Sequence, residues 1–286
     1  MGRAGILATG GAGDVGRHVL RQLGAAGERV LTLDNLSRGR RAVVTTGTLV
    51  VGGARDVELV RRVLPEQRID TLMHLAAFTD VPESGAAPLS YFRNLAATTR
   101  ALLECCVAAA VPYFVFSSTA AVYRKVAGGL AADDTETAPI NSYGASKLRG
   151  KQLLSAASAR APLLTQVAVE HAVGRRALVS NSATDYPTPD GTGVRDSIHI
   201  EDLATAPLKA LAHLRSGGAS TTLNCGYGHS HSVREEPRRA GDPARIVARA
   251  EHARSVLAWT PRYGDLDRFV RDALNWERST LIRSAA

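Results

Sequence analysis

The sequence predicts an α/β chain built on a doubly wound parallel sheet, with a smaller C-terminal α/β lobe. Three observations carry this. Short apolar runs alternate with helical patterns through the first half, a βαβ rhythm that requires parallel strands. From about Pro162 the rhythm loosens into a Pro- and Gly-rich half. The chain has 286 residues, 45% apolar and 22% charged, which is ordinary globular usage and allows one large domain or a large and a small one. The expected division is residues 1–161 and 162–286, with some elements of the second part returning to the first.

The elements follow in order. Gly5 to Thr9 is a short apolar strand, Val15 to Ala26 a helix ended by Gly27, and Arg29 to Leu33 a second strand that stops at Asp34. Thr48 to Val51 and Thr71 to Ala76 read as the next strands, with a helix from Asp56 to Leu64 between them. A helix over Pro88 to Ala110 leads into the strand Tyr113 to Phe116, and Ser142 to Ala159 is helical again. Alternation then demands a strand, yet Pro162 to Arg175 reads as another helix, with Leu163, Leu164, Val167 and His171 on one face. A strand is therefore expected to be missing at an incomplete sheet edge. A helix is expected to be missing between Val233 and Pro237, and both shortfalls favour a natural polypeptide longer than this sequence.

Composition narrows the function. Lys and Arg total 35 against 27 for Asp and Glu, a net charge of +8 that suits an anionic partner. The basic residues are scattered; the densest group, Arg38, Arg40 and Arg41, has no interleaved aromatics, and aromatics are only 5% of the chain. That argues against nucleic acid, which needs stacking platforms. The stretch from Cys105 to Tyr123 is uncharged but broken by Pro112 and by Ser117, Ser118 and Thr119, so no membrane span is expected. No signal-like apolar region precedes the first glycines, and three cysteines without metal or disulfide spacing fit a reducing cytoplasm. Cys105 and Cys106 read as core, and His229 and His231 lack a third ligand, so no metal is expected.

The chemistry lies in three places. TGGAGDVG sets Gly10, Gly13 and Gly16 between a strand and a helix, where small residues let backbone N–H groups approach a pyrophosphate. The helix start adds about half a positive charge. Asp14 is awkward there unless its carboxylate points away. Asp34 ends the second strand about 20 residues beyond the glycines, where a carboxylate accepts both ribose hydroxyls of an adenosine and repels a 2′-phosphate. This favours NAD over NADP, although the arginines after Asp34 could shift the balance. Third, Tyr143 and Lys147 lie one turn apart on a helix, with Thr119 at the end of an earlier strand. A phenol of pKa near 10 is a poor base, but an adjacent ammonium stabilises its phenolate, and the Thr119 hydroxyl would position an alcohol beside it.

The motifs TGGAGDVGRHV, LDNLSRG, HLAAFTDVPES, FVFSSTAAVY, PINSYGASKL, DYPTPDGTGVRDSIHIEDLA and RRAGDPAR, in this order, resemble the extended short-chain dehydrogenase/reductase family, in its branch of UDP-glucose (UDP-galactose) 4-epimerases. The resemblance runs from Leu7 to about Trp276 and implies a Rossmann-like NAD domain and a UDP-sugar lobe. It also implies a homodimer through the helices of Pro88 to Ala110 and Ser142 to Ala159. Carried over by residue, it makes Tyr143 the base, Lys147 the nicotinamide-ribose ligand and Thr119 the hydroxyl partner. Gly10, Gly13, Asp14, Val15, Gly16, Asp34, Asn35, Ser37, Arg38, Leu75, Ala76, Ala77, Asn94 and Ser117 fall at cofactor positions, with Tyr143 and Lys147. Arg195 and Arg239 would hold the UDP diphosphate and Asp242 its ribose, where guanidinium forks suit phosphate oxygens.

Departures from the family pattern also stand in the sequence. Gly53 replaces an aspartate that reads the adenine amino group, Ser197 replaces a tyrosine and Leu95 an asparagine. An Arg-Tyr-Phe-Asn segment that contacts substrate in the family has no match. Other readings left open are a related nucleotide-sugar epimerase or dehydratase, acting on UDP-glucuronate or a UDP-N-acetylhexosamine, and an NAD-binding pseudoenzyme.

Overall fold

A computed structural model describes residues 4–123, 129–160, 165–171, 194–229, 231–232 and 245–265, with 267–268, 271–272 and 275. Along the chain run β1 (Gly5–Thr9), α1 (Asp14–Ala25), β2 (Arg29–Asp34), β3 (Thr48–Val51), α2 (Val57–Glu66), β4 (Ile69–His74), α3 (Val81–Ala86), α4 (Pro88–Asn94), α5 (Ala96–Ala108) and β5 (Tyr113–Ser117). These are followed by β6 (Leu130–Ala131), α6 (Ser142–Arg160), β7 (Thr165–His171), β8 (Val194–Arg195), α7 (Ile200–Arg215), β9 (Thr221–Cys225), β10 (His231–Ser232), β11 (Arg245–Ala248) and α8 (Glu251–Leu257).

Among the described residues, seven parallel strands form the main sheet in the order β3-β2-β1-β4-β5-β7-β9. Alternate strand residues face opposite layers, as a pleated backbone requires. Ile6, Ala8, Met73 and Val115 join the core under α1, α7 and α8, whereas Leu7, Leu31, Leu72, Phe114 and Phe116 join the core under α2, α5 and α6. Both faces are thus covered, which is why the strands are apolar throughout. Among the described residues a second, four-stranded sheet has the order β10-β8-β11-β6.

Two expectations are corrected. The second helix expected over Pro162 to Arg175 is not formed in its described part: Thr165–His171 is β7, paired in parallel with β5 from Tyr113↔Thr165 to Ser117↔Val169 and with β9 on its other side. The strand required by alternation is present, and the sheet edge beyond β5 is filled. The physical reason is that an open β5 would leave a row of unpaired N–H and C=O groups, and a short apolar segment is compatible with either structure until a neighbour supplies the ladder. The helix expected over Pro88 to Ala110 divides at Leu95 into α4 and α5. The segment between Val233 and Pro237 lies outside the described residues.

The DSIHIEDLA segment works as a fastening. Asp196, fully buried, accepts hydrogen bonds from the backbone N–H of Tyr227 (3.0 Å), Gly228 (3.1 Å) and Ala248 (3.2 Å). Asp202 accepts from the Tyr227 hydroxyl (2.7 Å) and from the N–H of Arg262 (2.8 Å) and Tyr263 (2.7 Å). Glu201 reaches back to α1, pairing with His18 and Arg21 and accepting from Gln22 Nε2 at 3.0 Å. The C-terminal half is thereby locked to the first helix of the sheet. Cys105 and Cys106 sit in the α5 core, and Trp259 is buried with its Nε1 donating to Thr205 Oγ1 at 2.8 Å.

Candidate active site

The C-terminal ends of β1, β2, β4 and β5 converge on one rim of the sheet. At β1, Gly10 adopts φ +75°, and a Cβ there would lie 2.5 Å from the Ala76 backbone. A Cβ on Gly16 would come within 2.1 Å of the Gly10 carbonyl oxygen. Only glycine allows these approaches. The loop closes through Gly13 N–H to Gly10 O (3.1 Å), and Gly13 caps α1 with no side chain of its own. Among the described residues no N-cap side chain therefore occupies the first N–H groups of α1, the arrangement that receives an anion. Asp14 is turned to solvent, its carboxylate 3.6 Å from Arg17 and 75% exposed, so it does not oppose an anion at the helix start.

Asp34 Oδ2 accepts from Ala12 N–H (3.0 Å) and Oδ1 from Leu36 N–H (2.8 Å), which fixes the carboxylate beside the glycine loop. Asn35 Oδ1 accepts from Ser37 N–H at 3.1 Å and tightens the same turn. Arg38 Nη2 donates to both carboxylate oxygens of Glu83, at 2.8 and 2.6 Å, and its guanidinium lies 4.3 Å over the Phe78 ring. The opposite wall follows β4. Leu75 N–H donates to Thr9 O (3.1 Å), Ala76 N–H approaches Thr9 Oγ1 (3.4 Å), and Phe78 N–H donates to Asn94 Oδ1 (2.8 Å). Gly53 is open: a Cβ there would meet nothing within 4 Å.

Tyr143, Lys147 and Gly150 share one face of α6. A Cβ on Gly144 would strike the Ala121 carbonyl oxygen at 2.2 Å, and one on Gly150 the Phe116 ring at 2.9 Å, so these glycines let α6 lie against β5 and the turn after it. Thr119 opens that turn, its Oγ1 accepting from Ala121 N–H at 3.2 Å, which leaves its own O–H to donate. Thr119 is 6% and Tyr143 8% exposed. Lys147 is buried with its Nζ donating to the Ser117 carbonyl at 2.6 Å. Burial pulls its pKa down to about 7.

Several groups escaped sequence reasoning. His74, buried at the end of β4, shares a 2.8 Å hydrogen bond with Thr9 Oγ1. Burial, and then the Lys147 charge, lower its pKa to about 3, so it is neutral. Tyr91 meets Tyr143 edge-on, with ring centroids 6.5 Å apart, and its hydroxyl donates to Glu83 Oε2 at 3.1 Å. The local signal for Glu83 was DVPE, a helix start: Asp80 Oδ1 caps α3 by accepting from Glu83 N–H at 2.9 Å. Nothing local pointed to Tyr91. Of the predicted substrate residues, Arg195 is placed by its backbone in β8, and Arg239 and Asp242 lie outside the described residues.

A dinucleotide fits this rim. The glycine cradle, the side-chain-free helix start and the fixed Asp34 carboxylate are the donor and acceptor set that such a ligand needs. Residues 6–226 match the model of the NAD dependent epimerase/dehydratase family. The chain belongs to that family. In this epimerase/dehydratase chain the matched stretch runs from β1 through β9 and contains every residue of the rim just described.

Individual relatives agree. The chain is 41% identical to the UDP-glucose 4-epimerase of Azospirillum brasilense over 320 aligned positions, covering 96% of this chain and 92% of that protein. The matched part of a 286-residue chain cannot fill 320 positions, so internal stretches of that relative have no counterpart here. Among solved structures, a UDP-glucose 4-epimerase from Stenotrophomonas maltophila, with bound NAD and formylated UDP-arabinopyranose, superposes with a TM-score of 0.90 at 32% identity, covering 99% of this chain and 100% of that one. The enzyme from Bifidobacterium longum, in complex with NAD+ and UDP, gives 0.89 at 28%, covering 96% and 98%.

Proposed function

We propose that this protein interconverts UDP-glucose and UDP-galactose by NAD-dependent epimerisation at C4 of the hexose, through a 4-keto sugar. The observation that carries the reading is the placement of Tyr143 and Lys147 on one buried helix face beside Thr119, on the same sheet rim as the glycine cradle and Asp34.

Bound NAD supplies reversible two-electron oxidation at the sugar carbon. The protein's residues supply the proton handling. Tyr143 takes the 4-hydroxyl proton as a phenolate and later returns it. The phenolate in turn favours the ammonium form of Lys147, which, anchored on the Ser117 carbonyl, stabilises it through space. Thr119, with its lone pair engaged by Ala121 N–H, donates toward the substrate oxygen and orients it. Asp34 selects NAD, because its fixed carboxylate repels a 2′-phosphate and the Arg38 guanidinium is spent on Glu83. Gly10, Gly13, Val15 and Gly16 take the pyrophosphate; Asn35, Ser37, Leu75, Ala76, Ala77, Asn94 and Ser117 line the rest. Arg195 and Arg239 hold the UDP diphosphate, and Asp242 holds its ribose.

The protein acts as a homodimer in a reducing cytoplasm. Support for the dimer is the apolar surface of α4 and α5, where Leu89 is 78%, Phe92 37% and Val107 48% exposed. Support for the compartment is that Cys105, Cys106 and Cys225 are buried thiols. Among the described residues no helix is long and apolar enough to cross a membrane. The test is direct: purified protein should release NAD or NADH on denaturation and convert UDP-galactose to UDP-glucose with no added reductant. Protein that binds NAD but leaves both UDP-hexoses unchanged refutes the assigned reaction.

A further inference from the structure

Arg38 follows β2, and Glu83 lies on α3, which follows β4. Because β2 and β4 flank β1 in the sheet, the ion pair between them spans the end of β1 from which the glycine loop springs. Each side is anchored to the proposed cofactor crevice. On the β2 side, Arg40 N–H donates to Ala12 O at 3.2 Å, and a Cβ on Gly39 would lie 2.7 Å from that of Ala12, so the segment rests on the glycine loop. On the β4 side, Glu83 also accepts from the Tyr91 hydroxyl, which itself accepts from Asp80 N–H at 3.1 Å. Phe78 packs edge-on to Tyr91 at 5.8 Å and carries the Arg38 guanidinium on its face. Arg38 thus closes on a braced partner.

We propose that Arg38 and Glu83 form a clasp that retains the dinucleotide through the catalytic cycle. The proposal rests on the cofactor role given above and adds a retention function. An epimerase returns to the sugar what it removed, so its cofactor must stay in place between the two half-reactions. The pair is well suited to that task. Both carboxylate oxygens of Glu83 are engaged, yet the side chains are 41% and 42% exposed, so the link can open to admit NAD. Arg38 beside it holds the Glu83 carboxyl below the usual carboxylate range, so the clasp stays charged across the physiological range.

The test follows loss of bound NAD from the purified holoprotein after dilution, at low salt and in roughly 1 M NaCl, where exposed charges are screened. Wild-type release should accelerate with salt. Glu83→Gln and Arg38→Met should each release NAD about two- to five-fold faster at low salt, with a flattened salt response. The reversed pair, Arg38→Glu with Glu83→Arg, should restore slow, salt-sensitive release. Variants that release NAD at the wild-type rate overturn the clasp alone. Fast release from Arg38→Met with wild-type release from Glu83→Gln also overturns it, since Arg38 would then hold the nucleotide directly. Wild-type protein that never holds NAD overturns the proposed function and the clasp with it.

Discussion

Lys147 Nζ donates to the Ser117 carbonyl oxygen at 2.6 Å, which ties the helix carrying Tyr143 to the end of the strand that leads to Thr119. The bond partly compensates an ammonium that is 2% exposed, and the residual desolvation sets its pKa near 7, far below its ordinary 10.5. Between those values the unfolded chain binds the proton and the folded one does not. Stability of the cofactor-free protein should therefore rise from pH 7 toward pH 10, by at most about 1.4 kcal/mol per pH unit for this one group. Urea midpoints at pH 7.5 and 9 should rise more for wild type than for Lys147→Met. Equal gains would remove Lys147 as the cause.

Tyr143→Phe removes the phenol and keeps the ring that meets Tyr91 edge-on. Folding and NAD content should survive, and turnover should fall by about 10²- to 10⁴-fold, the range for loss of a general base. Unchanged kcat would sink the assignment.

The role proposed for Asp34 is to set the preference between dinucleotides. Replacement by Ser keeps a small acceptor but deletes the charge, so NADP should gain on NAD by about ten-fold or more, the effect of losing one charge repulsion of roughly 1.4 kcal/mol. Paired titrations of wild type and Asp34→Ser with both dinucleotides measure it. A wild-type protein that binds NADP more tightly than NAD refutes the role.

Gly53 leaves room at the end of β3, where its backbone links to the turn of Asp56 through a 2.9 Å hydrogen bond. Gly53→Asp should be accommodated without strain and add an acceptor for the adenine amino group. NAD affinity should rise by about two- to ten-fold, the net effect of one hydrogen bond, while affinity for the hypoxanthine analogue should not. Equal gains for both would refute the contact with the adenine amino group.

What the sequence determined by itself was local. Gly10 and Gly16 mark a turn that other residues cannot make, Asp34 ends its strand a fixed distance later, and the four-residue spacing of Tyr143 and Lys147 on a helix sets them on one face. These are consequences of backbone sterics and periodicity, which neighbouring residues specify. The tertiary structure decided what depends on partners far along the chain. Thr165–His171 reads as helix in isolation and becomes a strand because β5 and β9 offer it hydrogen bonds on both sides. In the sequence Arg38 is one of three arginines after Asp34, and only packing delivers Glu83, 45 residues away, to its guanidinium. Asp202 reads as part of a motif until the chain returns two backbone N–H groups, from Arg262 and Tyr263, to its carboxylate. In each case the deciding energy is a hydrogen bond or ion pair whose second half is absent from the local sequence, so only the assembled sheet and its rim reveal which alternative wins.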